Sequence, residues 1–162
     1  MLALEARTIS PKEGHAAGRA LLKAMVEAHT GRPMPKIAVA ERGKPYFVGS
    51  DLHFSISHTK AHVFCALSDK PIGIDAEELD RAISLTLVGK VLSDGERAQY
   101  EACEDKRLAL LTFWVLKEAA AKCTGKGLAG YPNHTNFSLD DPRVITMDGC
   151  LLAVIEEEDH AL

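Results

Sequence analysis

Several short stretches carry residue types that suit chemistry on a charged ligand. In Pro71-Ile72-Gly73-Ile74-Asp75-Ala76-Glu77, strand alternation turns Ile72 and Ile74 one way and Gly73, Asp75 and Glu77 the other. Two carboxylates then share one face, and Gly73 leaves room for a ligand to approach the backbone. Such pairs suit Mg²⁺, which takes oxygen ligands and keeps positions for phosphate and water. Taken alone, D-x-E is common, and a solvated strand end is its ordinary reading.

Between Phe113 and Lys122, the residues Trp114, Glu118 and Lys122 recur at i, i+4 and i+8 and form one helix stripe. An i,i+4 surface ion pair is the plain explanation, contributing a few tenths of a kcal/mol. Against it stands the apolar company of Glu118, where an acid is costly unless it faces a cleft. Lys117 lies off that stripe. Ser55-Ile56-Ser57-His58-Thr59 ends a strand with hydroxyls, an imidazole and turn amides that can hold phosphate oxygens, or simply form a hydrogen-bonded turn. Gly43-Lys44-Pro45 offers a cation on a stiff turn.

Other chemistries lack their signatures. Ser57 and His58 are neighbours with no G-x-S-x-G elbow, which disfavours a Ser/His hydrolase. No C-x₂-C pair supports zinc, and no P-loop occurs.

The elements that must position these residues read as follows. Ser10-Pro11-Lys12-Glu13 predicts an N-cap and capping box, opening a helix through Ala17, Leu21, Met25 and Ala28 that Thr30-Gly31 ends. Short strands follow at Ile37 to Ala40, Leu52 to Ser57, Ala61 to Leu67 and Ile72 to Ala76, with hairpin turns between the later ones. Ser93-Asp94-Gly95-Glu96 predicts a second capping box, and Asp105 to Cys123 is the strongest helix. Strands are expected at Asn136 to Leu139, Val144 to Met147 and Cys150 to Ile155, with Asp148-Gly149 as a tight turn and an acidic, fraying end.

The chain has 162 residues, 46% hydrophobic and 26% charged, which excludes a disordered or fibrous chain and predicts one domain. It spans 1–162, with approximate halves 1–69 and 70–162. Lys+Arg 19 against Asp+Glu 23 gives a net charge of −4, so no default attraction to nucleic acid is expected. No apolar run reaches membrane-spanning length and no signal segment is visible, so a cytoplasmic protein away from membranes is expected. Cys65, Cys103, Cys123 and Cys150 read as free thiols.

The order GKPYF, FSISHT, PIGIDAEE, FWVLKEAAAKCTGKG, over roughly residues 42 to 128, resembles the 4′-phosphopantetheinyl transferase superfamily, closest to its larger, Sfp-like branch. The resemblance implies an α+β fold of two similar halves in a pseudo-twofold arrangement. It also implies Mg²⁺-dependent transfer of phosphopantetheine from coenzyme A to a serine of an apo carrier protein (acyl, polyketide or peptidyl). Adenosine 3′,5′-bisphosphate would be the by-product. Carried over, Asp75, Glu77 and Glu118 would hold Mg²⁺, with Glu118 also taking the serine proton. Lys122 would contact the pyrophosphate and assist the leaving group. Lys44 and Pro45 would lie along the adenosine end, Ser57 and His58 would contact phosphates, and Lys117 belongs to the same coenzyme-binding motif.

Two departures stand out. Glu78 also satisfies the D-x-x-E spacing of the small trimeric branch; period two favours Glu77 over it. The basic N-terminal segment of larger members is missing, leaving Lys12, His15 and Arg19 as candidates to replace it. A compact pseudo-dimer active as a monomer is expected. The alternatives are a Mg²⁺-dependent phosphohydrolase or nucleotide-transferring enzyme, and a non-catalytic member that binds coenzyme A or a carrier.

Overall fold

The computed structural model describes residues 1–127 and 135–158. The first half contains β1 (Ala3–Thr8), α1 (Gly14–Thr30), a small hairpin of β2 (Ile37–Val39) and β3 (Pro45–Phe47), then β4 (His53–His58) and β5 (His62–Ser68). The second contains β6 (Ile72–Glu78), a helical turn at Leu85–Leu87, α2 (Val88–Val91), α3 (Asp94–Ala102), α4 (Lys106–Thr124), β7 (Val144–Met147) and β8 (Cys150–Glu156). This is the expected α+β mixture.

The two halves repeat one topology. The first sheet runs β1-β5-β4 and the second β6-β8-β7, with every pairing antiparallel. In each, the strand before the long helix pairs with the last strand of the hairpin that follows it. Leu21, Leu22, Met25 and Val26 of α1 pack on Phe54, Val63, Cys65 and Leu67 of the first sheet. Leu111, Val115, Leu116 and Ala119 of α4 pack on Leu151, Ala153 and Ile155 of the second. Phe64 and Ala66 of β5 meet Ile72, Ile74 and Ala76 of β6 between the sheets.

The sheets join through serine side chains. Ile74 N–H donates to Ser55 Oγ and Ala76 N–H to Ser57 Oγ, both at 3.0 Å. The polar face of β4 thus takes β6 amide donors that a neighbouring strand would otherwise satisfy.

Three expectations are corrected. The first helix begins at Gly14, not near Pro11: Lys12 has φ 76°, outside helical space, so the Ser10–Glu13 contact closes a turn instead of a cap. β4 and β5 form a hairpin, but β6 leaves β5 and pairs with β8. Residues 136–139 form no strand, because α3 supplies the partners: Phe137 N–H donates to Glu96 Oε2 and Leu139 N–H to Gln99 Oε1, both at 3.0 Å. The strand β1 was not anticipated at all.

The other signals match the structure. Ser93 and Glu96 make the reciprocal capping box. Gly31 and Gly125 close α1 and α4 in the left-handed conformation. Asp148 and Gly149 both have positive φ, 51° and 73°, in the β7–β8 turn. The four cysteines are unpaired thiols, and no described helix is long and apolar enough to cross a membrane.

Candidate active site

The centre of the molecule is a zipper between one strand and one helix. The face of β6 that carries Gly73, Asp75 and Glu77 lies against α4, which runs the opposite way. Cys123 meets Gly73, Lys122 meets Asp75, and Trp114 meets Glu77.

Gly73 is the point of closest approach. A Cβ there would lie 2.0 Å from the Ala119 carbonyl oxygen and 2.3 Å from the Cys123 nitrogen. The room that the sequence suggested for a ligand is taken by the backbone of α4. Gly14 of α1 makes room for a side chain instead: a Cβ there would sit 2.4 Å from Nδ1 of the His58 ring.

Asp75 is 7% exposed. Its Oδ1 accepts from Lys122 Nζ at 2.9 Å and from the Ser57 hydroxyl at 3.4 Å. Its buried Oδ2 has no hydrogen-bond partner among the described residues. Burial pushes the Asp75 carboxyl above its ordinary range, although Lys122 and Ser57 pull the other way. Burial, then the charge of Asp75, raises Glu77, against the pull of its ion-pair partner Arg81 and of the Trp114 indole. Glu118 is raised by the same two causes, offset in part by Lys122.

Three acids held above their ordinary values, Asp75 by burial and Glu77 and Glu118 by burial and the charge of Asp75, with one orphaned buried oxygen, form a site short of positive charge. Hard carboxylate oxygens of this kind fit Mg²⁺. The acids share the site without converging on one point. Among the described residues, the potential ligands whose donor atoms all lie within 4.8 Å are a different set, His62, Glu78 and Cys150.

Two cavities flank the zipper. One, of about 380 Å³, is lined by Arg42, Lys44, Pro45, Ser55, Glu118 and Lys122. Lys44 donates to the Cys123 carbonyl at 2.5 Å, bonding the C-terminal turn of α4; burial lowers its pKa. The other, of about 930 Å³, is lined by Lys12, His58, Lys60, Glu77, Glu78 and Arg81. Of the basic candidates in the N-terminal region, Lys12 lines this cavity, while His15 and Arg19 line neither.

Two predicted ligand contacts have partners within the protein. Lys117 is 1% exposed, and its Nζ lies 2.6 Å from Glu96, itself fully buried; it also donates to Thr135. It lines neither cavity and ties α4 to α3. Ser57 is 6% exposed, and its hydroxyl accepts from Ala76 N–H and donates to Asp75. It braces the acid strand. Glu78 turns to Thr59, at 2.6 Å, and Cys150, away from Asp75. Arg81 and Arg42 were not foreseen. Each sits beside the acids or the cleft from a loop, where no periodicity marks it.

A family model described as the 4′-phosphopantetheinyl transferase superfamily matches residues 71–153, just over half of the chain. The chain is 36% identical over 90 residues to the 4′-phosphopantetheinyl transferase gsp of Aneurinibacillus migulanus, covering 54% of this chain and 37% of that one. It is 37% identical over 119 residues to the 4′-phosphopantetheinyl transferase AcpT of Escherichia coli (strain K12), covering 70% and 58%. It is also 37% identical over 98 residues to the 4′-phosphopantetheinyl transferase Sfp of Bacillus subtilis (strain 168), covering 58% and 43%. The matches thus span about two to three fifths of the length of these relatives. The matched stretch contains the whole zipper, from Gly73 and the acids of β6 through α4 to the sheet beneath them, and the chain belongs to the 4′-phosphopantetheinyl transferase superfamily.

Proposed function

We propose that the protein transfers the 4′-phosphopantetheine group of coenzyme A to a serine of an apo acyl, polyketide or peptidyl carrier protein, releasing adenosine 3′,5′-bisphosphate. This makes it a Mg²⁺-dependent transferase of the holo-acyl-carrier-protein synthase type. The observation that carries the reading is the acid trio Asp75, Glu77 and Glu118, with the orphaned Asp75 Oδ2, set against Lys122 beside a cleft. The relatives, each a 4′-phosphopantetheinyl transferase by name, support it.

Asp75, Glu77 and Glu118 would hold Mg²⁺. When bound, the ion supplies charge neutralisation at the pyrophosphate. Glu118, which lines the smaller cavity beside Lys122, would take the serine hydroxyl proton. The serine oxygen forms a bond to the β-phosphorus as the bridging P–O bond to the nucleotide phosphate breaks. Lys122 stands ready to offset the charge that gathers on the leaving phosphate. Lys44 and Pro45 would guide the adenosine end along the smaller cavity, and His58 with Lys12 would meet the 3′-phosphate. Lys117 and Ser57 act as positioning residues.

Carrier proteins of this family's substrates are acidic, so a local basic face and salt-sensitive binding are expected despite the net charge of −4. The duplicated halves within one chain favour action as a monomer, and four free thiols suit a reducing cytoplasm.

The test is direct: incubate the protein with coenzyme A, Mg²⁺ and an apo carrier, and weigh the carrier by mass spectrometry. A phosphopantetheine adduct supports the reading. Nucleotide release without an adduct points to a phosphohydrolase, and binding without either product to a non-catalytic member.

A further inference from the structure

Glu77 and Glu78 are consecutive on β6, so their side chains leave opposite faces of the strand. Glu77 joins the acids of the zipper. Glu78 enters a second polar cluster at the end of the layer between the two sheets, and the reaction proposed above makes no use of it. Pairing of β6 with β8 sets Glu78 directly opposite Cys150. His62, the first residue of β5, reaches the same point from the other sheet.

The distances are those of a ligand set. Cys150 Sγ lies 3.5 Å from Glu78 Oε2 and 3.7 Å from His62 Nδ1, and His62 Nδ1 lies 3.5 Å from Glu78 Oε1. Bonds of about 2.0–2.3 Å meeting tetrahedrally at one zinc ion hold their donors roughly 3.3–3.8 Å apart. The three side chains need little movement to share an ion. Thr59 donates to Glu78 Oε1 at 2.6 Å, the outer hydrogen bond that steadies a carboxylate ligand. Cys150 is fully buried, whereas the Glu78 side chain is 28% exposed, so an ion there would keep a solvent-facing fourth position.

We propose that His62, Glu78 and Cys150 form a binding site for a borderline-soft divalent metal, zinc in preference to magnesium, separate from the acids of the zipper. Imidazole and thiolate select such ions, whereas Mg²⁺ wants oxygen alone. The ligands come from three strands, with Cys150 72 residues beyond Glu78, so no short spacing joins all three. On uptake the Cys150 S–H bond breaks, a sulfur–metal bond forms and the proton passes to the buffer. The ion would link β5 of the first sheet to β6 and β8 of the second.

Cobalt(II) is the probe, added to the tag-free full chain with a Cys103→Ser background that removes the partly exposed thiol. One equivalent should produce the near-ultraviolet thiolate-to-cobalt charge-transfer band, with release of protons, and equimolar zinc should abolish the band. Cys150→Ser and, as a second variant should the first fold poorly, His62→Gln should each lose the band. Asp75→Asn should keep it, and millimolar Mg²⁺ should not displace it. Absence of the band in the parent, or its survival in folded Cys150→Ser, would overturn the proposal and leave a hydrogen-bonded triad only.

Discussion

Gly73 and Ala119 bring strand and helix backbones into contact: a Cβ on Gly73 would sit 2.0 Å from the Ala119 carbonyl oxygen. The obstacle is helix backbone, which cannot rotate aside as a side chain can. Gly73→Ala should therefore destabilise the fold by about 3 kcal/mol, the upper end of overpacking. Denaturant unfolding measures it. Gly89→Ala is the control, because its Cβ would meet only the flexible tip of Arg97 at 3.3 Å. Equal stabilities for the two variants would refute the contact.

The buried pair Glu96–Lys117 makes a second prediction. Glu96 is held below the ordinary glutamate range: burial opposes ionisation, but Lys117, the N–H groups of Ser93 and Phe137, and the Thr135 hydroxyl outweigh it. Lys117→Met leaves that carboxylate buried without its cation and should cost about 3–5 kcal/mol. Adding Glu96→Gln, which preserves the cap to Ser93, should recover most of the loss. Additive losses in the double-mutant cycle would show that the two side chains do not depend on each other.

What the sequence made legible, and what it hid, divides along chain distance. The acids of β6 and the stripe of α4 were readable because strand and helix periods are local properties, and so were both glycine caps and the Ser93 box. Residues 136–139 looked like a strand because Phe137 and Leu139 alternate, but Glu96 and Gln99 claim their amides from 40 residues away. Lys117 was placed with the coenzyme only by the motif it shares with Glu118, and the packing of α3 on α4 pairs it with Glu96. Strand register brings Cys150 beside Glu78, and nothing local encodes that register.

The acid trio makes stability depend on pH and on magnesium. Asp75, Glu77 and Glu118 titrate above their ordinary values of 3.8 and 4.5, so the folded state binds their protons more tightly than the unfolded chain. Their ionised forms thus weaken the fold near neutrality. The weakening is relieved as pH falls through the raised values towards the ordinary ones. Without metal, Asp75→Asn should melt above the parent at neutral pH, and the gap should close on acidification. Magnesium should raise the melting temperature of the parent and leave Asp75→Asn nearly unmoved. A gap that ignores both pH and magnesium would contradict the repulsion.

Lys122 and Glu118 separate charge compensation from proton transfer. Lys122 holds Asp75 Oδ1 at 2.9 Å, the same carboxylate that a cation would need. Replacing it by Met removes one positive charge beside three acids, so magnesium should bind as tightly as before or more tightly. Turnover should nevertheless fall on the order of 10²–10³-fold, because the leaving phosphate loses its compensating charge. Glu118→Gln removes a base and one oxygen ligand's charge, so turnover should fall about 10²–10⁴-fold while coenzyme binding persists. Calorimetric titration of magnesium and single-turnover transfer to the carrier distinguish the two. If Lys122→Met loses magnesium affinity and turnover in parallel, the lysine organises the site rather than meeting the leaving group. If Glu118→Gln turns over nearly normally with magnesium bound, another group takes the serine proton.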